Sequence, residues 1–482
     1  MNIDFLAEPE LEFGAGRHID IRFGIMTYGP LDFASDLPPS QINLGIVGSP
    51  ESVEGTRLWF DRCRCEIAAR ASKQPMLFPR FPGYNKQTAF RSTLVMSDSL
   101  CRDIPAANIG LISKITDRNE RITRSVDLFM EEIQFLAQNR DAKVIVCSVP
   151  TLLLEAMGPD DFENSESEAP VPDVAPTRLD FHDMLKARAM QQYRKPIQIL
   201  LPHTYDESKS GRRSRTGLRV ALQDEATRAW NIHTALYYKA EGVPWRLPRE
   251  SSDLTTCFVG VSFYKSLDKH ALLSSVAQVF NERGEGVVVR GRAATISKSD
   301  LQPHLPKDHA YELLRDALAR YWDVHRTFPA RVVLHKSSRF DENEQEGFAA
   351  ALEDKKISTH DFLWLSSSST KLYRAGKYPP LRGTMLTLDE REMVLYTRGS
   401  VDFFETYPGR YIPVPIRVFS ESTEQTQRFL AREILSLSKM NWNKTQFDGA
   451  EPVTLQAARK CSNILRYCSE GRQIEPRYSF YM

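Results

Sequence analysis

The chain has 482 residues, too many for one ordinary domain, so two or three are expected. Hydrophobic content of 41% and charged content of 26% are those of a folded protein, and a net charge of +1 excludes a global field as the means of attracting a polyanion. No apolar run reaches the ~18 residues of a membrane span, and Met1–Ala7 lacks the basic and apolar regions of a signal peptide, so a cytoplasmic protein is expected. Residues 1–40 read as a leader rich in Gly, Pro and aromatics. Ile42–Gly48 reads as a buried strand ending in a glycine turn. Over 119–138, Ile122, Val126, Phe129, Ile133 and Leu136 recur at steps of four and three, which is one apolar face of a helix. Lys143–Val149 and Ile197–Leu201 are two further buried strands, and a short fourth is expected near Val243–Trp245. Strands alternating with helices predict a parallel α/β sheet. Between the second and third strands, Gly158–Thr177 is acidic and proline-bearing, without Lys or Arg, and predicts an exposed or disordered loop.

A second pattern begins near residue 250. Cys257–Tyr264 and Gly286–Gly291 read as strands, Tyr311–Val324 as a helix with Leu314, Ala317, Leu318 and Tyr321 inward, and Arg331–His335 as the strand it feeds. Met393–Thr397 and Ile412–Val418 supply later strands, and helices are expected around 425–438 and 453–467. Consecutive strands, then a helix, then a strand is the order of an RNase H-like core. The seven cysteines are scattered, Cys63 and Cys65 forming the only close pair, with no second pair to complete a zinc site. Gly45 and Gly48 do not make a G-x-G-x-x-G phosphate loop, which argues against a dinucleotide enzyme.

Several segments carry a family resemblance. Val259-Gly260-Val261-Ser262-Phe263-Tyr264, Pro329–Ser338, Leu435–Thr445 and Phe447-Asp448-Gly449 before Pro452–Leu455 resemble a PIWI domain, and Tyr237–Trp245 resembles the end of a MID domain. With the leader Glu8–Gly14, and no room for N or PAZ domains, the chain resembles the short prokaryotic Argonautes. The resemblance implies a Rossmann-like MID domain over 41–249 followed by an RNase H-like PIWI domain over 250–482. The leader, 1–40, is expected to pack on both.

The resemblance gives roles to named residues. His182 and Lys186 are four apart, so on a helix they share a face. With Gln198 on the next strand and Lys239 ending the helix from Trp230, they match the four MID residues that hold a guide 5′ phosphate. One imidazole, one amide and two ammonium groups suit an anion of nearly two charges. By the same resemblance the Met482 carboxylate and Gln198 are expected to hold Mg²⁺ against that phosphate. Lys209–Arg219 packs five cations into a flexible stretch, and Arg212, Arg213 and Arg215 could neutralise successive phosphates. Lys439, Asn441, Asn443 and Lys444 suit backbone contacts to guide or target, which position a strand without reading it.

The slicing chemistry of the family needs two metal ions held by carboxylates. Ser262 and Ser337 stand where the family has aspartates. Asp268, Asp341 and Glu342 lie several residues away, and Glu344 and Glu346 read as part of the next helix. The expected function is therefore guided binding without cutting: a guide RNA, a single-stranded DNA target, and a partner that carries the output. Inactive short members pair with an APAZ-containing NAD-hydrolysing effector, sirtuin-like in first preference and TIR in second. The alternative is a guide-dependent endonuclease with rearranged metal ligands.

Overall fold

The structure, a computed structural model, describes residues 1–34, 38–158, 178–209, 222–249, 253–268, 271–274, 278–280, 286–375, 379–407, 409, 412–446, 449–468 and 474–482. The leader opens with a short strand, β1 (Asn2–Phe5), that joins a sheet built mostly from the far end of the chain. A first, parallel sheet follows: β2 (Gln41–Gly48), β3 (Thr93–Val95), β4 (Val144–Ser148) and β5 (Ile197–Leu200), in the order β3-β2-β4-β5, with Cys101–Asp103 also paired to β2. Ile42, Leu44, Ile46 and Val47 of β2 are all fully buried, as expected of a parallel strand covered on both faces. Before β5 come two helices, α1 (Arg118–Asn139) and α2 (Phe181–Tyr193). Asp117 and Asp180 cap their first turns, each carboxylate accepting a main-chain N–H of its own helix. α1 buries Ile122, Val126, Phe129, Ile133 and Leu136, the residues its spacing singles out. A third helix, α3 (Glu225–Lys239), is buried along almost its whole length and leaves the first sheet for the second.

The second sheet has nine strands. Its parallel centre is β6 (Thr256–Val261), extended on one side by the antiparallel β7 (Gln278–Phe280) and β8 (Gly286–Val288). After helix α4 (Lys307–His325) the chain lays β9 (Arg331–Lys336) beside β6, then helix α5 (Glu342–Asp354) leads to β10 (Thr359–Ser367). β11 (Thr384–Thr387), β12 (Glu392–Leu395) and β13 (Ile416–Ser422) complete it, giving β1-β11-β12-β13-β10-β9-β6-β7-β8. Helices α4 and α5 cover one face, through Leu314, Leu318 and Phe348 against Val259, Val261 and Leu334. Helices α6 (Gln427–Leu437) and α7 (Val453–Leu465) join the other core. Gly260 lets α7 come close: a Cβ there would stand 2.2 Å from the Thr454 carbonyl oxygen.

Three expectations change. Val243–Trp245 forms no strand: Pro244 has no N–H to give, and the Val243 amide donates to Asp32 Oδ2 at 2.9 Å. The last long strand starts at Ile416 rather than Ile412, because Pro413 and Pro415 cannot donate to a ladder. The strand read over Cys257–Tyr264 breaks at Ser262, which separates β6 from a short Phe263–Lys265 strand. The acidic loop lies, but for Gly158, outside the described residues. No helix among them is long and apolar enough to cross a membrane.

Candidate functional site

The end of the first parallel sheet carries a cluster of cations. α2 starts at Asp180, whose carboxylate accepts from the Asp183 amide at 2.8 Å. The helical turn that follows sets His182 and Lys186 on one face. Lys239, the last residue of α3, reaches Gln198 on β5, its Nζ donating to Oε1 at 2.5 Å. Lys186 is buried, and its Nζ donates to the main-chain oxygen of Met482, itself buried. The four residues from the resemblance are therefore brought together, with Met482 beside them.

A fifth residue joins them, one that the sequence reading missed: Lys460 of α7, half-buried and contributed by the nine-stranded part of the molecule. Its charge acts on His182, Lys186 and Lys239 alike. The signal available was a lysine set among the buried Ala457, Ala458 and Cys461 of an otherwise apolar helix face.

Crowding of like charges sets the electrostatics. Burial and then the Lys460 ammonium push Lys239 down to about 7. Lys186 is driven down by burial, then by Lys460 and Lys239. Burial and then Lys186 hold the His182 imidazole well below its usual range, so it is neutral near pH 7, with 25% of its side-chain surface still accessible. Two carboxyls share the neighbourhood. Asp183 lies 3.2 Å from His182 Nδ1 and is raised by burial, while burial and then Asp183 raise Asp180 to about 7. A site whose cations and carboxyls are all shifted toward neutrality has room for a ligand charge, and the ammonium groups make that charge negative.

The oxygens expected to hold Mg²⁺, Gln198 Oε1 and the Met482 main chain, each accept from a lysine ammonium. While the lysines hold them, those oxygens do not fit a divalent cation. Among the described residues two other sets bring one ligand atom each within 4.8 Å: Asp180, His182 and Asp183, and His304, Asp341 and Glu344. In the second set the Lys336 ammonium already sits 2.7 Å from Glu344.

The remaining expected residues fall differently. Lys439 is buried at the base of the leader, where its Nζ donates to the carbonyls of Pro9 and Ile19 and pairs with Glu8 at 3.1 Å. Its ammonium serves the fold's interior and does not face a groove, which corrects its assignment to strand binding. Asn441 Oδ1 accepts from the Asn443 amide at 3.0 Å, and Thr445 bonds Asn231 of α3 at 2.9 Å, so Asn441, Asn443 and Lys444 sit half-buried on a turn docked against α3. Arg212, Arg213 and Arg215 lie outside the described residues.

Ser262 and Ser337 follow directly on the parallel neighbours β6 and β9, and the Ser337 amide donates to the Val261 carbonyl at 3.2 Å. They continue the face of Gly260 and His335, which meet Thr454 of α7. The nearby carboxylates are engaged elsewhere. Asp268 accepts from Ser266, Asp341 caps α5, Glu344 pairs with Lys336, and Glu346 pairs with Lys307 at 2.7 Å.

No family model matches the sequence, and no curated protein does. Solved structures do. A Clostridium butyricum Argonaute bound to a guide DNA and a 19-mer target DNA has a TM-score of 0.62 at 13% identity, over 99% of this chain and 54% of that one. The A. aeolicus Argonaute gives 0.57 at 14% identity, over 98% and 54%. Drosophila Piwi gives 0.56 at 14% identity, over 99% and 56%. The chain spans about half the length of these proteins. The fold is that of the MID and PIWI lobes of Argonautes.

Proposed function

We propose that this chain, folded as Argonaute MID and PIWI lobes, is the guide-and-target-binding subunit of a defence system and does not cut its target. The carrying observation is the pocket of Lys186, Lys239 and Lys460 around a neutral His182, a site short of negative charge. The 5′ phosphate of a guide, RNA in this reading, supplies that charge. Lys186 and Lys239 donate to its oxygens in place of Met482 and Gln198, and His182 contributes one neutral N–H. The Gln198 side chain, fixed on β5, keeps Lys239 aimed at the site. The guide then pairs with single-stranded DNA. The likeness to a structure titled as holding both guide and target DNA supports this reading.

Ser262 and Ser337 support binding over cutting, since a hydroxyl cannot replace an anionic metal ligand without losing most of the affinity for the ion. A binding chain without chemistry passes recognition on. The receiver we propose is an associated NAD-degrading effector with an APAZ domain, sirtuin-like before TIR. The test is the affinity of the purified chain for one oligonucleotide carrying either a 5′ phosphate or a 5′ hydroxyl. A preference of roughly a hundredfold is expected from two charge-assisted hydrogen bonds. Equal affinities would remove the reading.

A further inference from the structure

We propose that the open edge of the nine-stranded sheet, at β1, takes up a strand of the effector protein. The inference rests on the partner reading above and says where that partner binds. Among the described residues β1 pairs only with β11, in antiparallel register with Ile3 opposite Leu386 and Phe5 opposite Thr384. The Leu6 amide donates to the Gly383 carbonyl at 3.0 Å, so the even-numbered residues turn their main chain toward β11. By the alternation of an antiparallel ladder, Ile3 and Phe5 turn theirs toward the open side. Long unprotected edges invite another strand, and proteins commonly blunt them with charge or proline. This edge has neither on its outer face: Ile3 is 61% exposed and Phe5 46%. The one charge on the strand, Asp4, points to the opposite face, beside Arg428 of α6 at 3.8 Å.

The occupant follows from size. Pairing with a second copy overlaps about five residues a side, well short of the roughly 800 Å² per partner of a stable interface. The apolar surface, however, continues past the edge. Hydrogen bonds link Leu6 to Gly383, Gly383 to Tyr396, and Pro415 to Ser368, which marks one end of adjacent strands. At that end stand three more exposed apolar side chains: Tyr373, whose neighbour Leu372 is held by the Tyr396 hydroxyl, and Ile412 and Val414, which precede Pro415. A single strand cannot cover all five. A folded protein that offers an unpaired strand can: apolar residues alternate toward Ile3 and Phe5, and the body behind it rests on Tyr373, Ile412 and Val414.

The test uses the full chain co-produced with a tagged APAZ-containing NAD-degrading effector. Ile3→Pro removes an N–H that faces only the open side, so the β1–β11 ladder is kept. Phe5→Lys places a charge on the same face. Either variant is expected to lower recovery with the effector by roughly tenfold, while 5′-phosphorylated guide affinity stays at the wild-type value. Hydrogen exchange at the amides of Ile3 and Phe5 is expected to be fast in the chain alone and slow in the complex. A complex that forms equally with both variants, its β1 amides still fast, overturns the edge site and leaves the partner reading intact. A wild-type chain that retains no effector overturns both. Protection of β1 that rises with the chain's own concentration, without effector, gives the edge to a second copy and defeats the proposal.

Discussion

Lys239 carries the pocket's pH dependence. Burial and Lys460 hold its ammonium at about 7, so at pH 6 it is charged and at pH 8 mostly neutral. A bound phosphate raises that value. Below 7 the proton is already present and binding costs nothing extra, whereas above 7 a proton must be taken up. Preference for a 5′ phosphate over a 5′ hydroxyl should therefore fall as pH rises from 7 to 9, by up to about tenfold per unit, with hydroxyl-ended strands flat. Lys460→Ala relieves the repulsion on Lys239 and should move the fall to higher pH. A profile that does not move would remove Lys460 from the site. Lys186→Ala with Lys239→Ala should abolish the preference, because a doubly charged group cannot be desolvated without the ammonium groups. An unchanged affinity ratio in that double variant would sink the assignment.

Among elements, the leader is the one whose role is least visible in its own sequence. Glu8 sits between Arg382, at 2.9 Å, and Lys439, at 3.1 Å, and both cations are buried. Burial raises its carboxyl, but Arg382 and then Lys439 outweigh burial and leave it below its ordinary value. Its stabilisation is therefore present above the ordinary carboxyl range and is lost as pH falls through the lowered value. Glu8→Gln strands two buried cations and should cost about 3–5 kcal/mol, read as a lower Tm near neutral pH. A loss under about 1 kcal/mol would show the tether to be unimportant. The strands and helices carrying regular apolar patterns were legible: α1 and β2 follow from periodicity alone, and proline positions explain why β13 begins late. Strand β10 was missed although Phe362-Leu363-Trp364-Leu365 is apolar, since a continuous apolar run has no period to read. Lys439 shows the complementary failure. A lysine in a polar run reads as surface, and only the leader, over four hundred residues earlier, supplies the oxygens that bury it. Pocket residues on one helix or adjoining strand were legible through family resemblance. Lys460 comes from the other sheet's helix, and no local pattern announces contact at that distance.

At the scale of the whole molecule, the absence of chemistry at Ser262 and Ser337 has to be joined to an output. Purified chain with guide, complementary DNA and Mg²⁺ or Mn²⁺ should yield no product at a fixed guide-defined position, and one such cut would restore the endonuclease reading. Without cutting, the free energy of guide–target pairing has one use left, the difference between resting and active states of a partner. Moving such an equilibrium from about 1:99 to 99:1 takes roughly 5.5 kcal/mol of differential binding, which a few base pairs can supply if the active state alone accepts the full duplex. Guide alone should then bind and leave the partner silent, and target alone should do nothing. The expected result is that NAD hydrolysis by the co-purified complex requires both guide and complementary DNA. Lys186→Ala with Lys239→Ala should remove that hydrolysis while the two proteins remain together, because the pocket and the edge strand β1 are built from different residues of different sheets. The measurement is an NAD assay on the complex with guide and target each omitted in turn, alongside size-exclusion chromatography of the pocket variant. Hydrolysis that persists without guide, or a pocket variant that loses its partner, would separate recognition from output and leave the chain a binding protein of another kind.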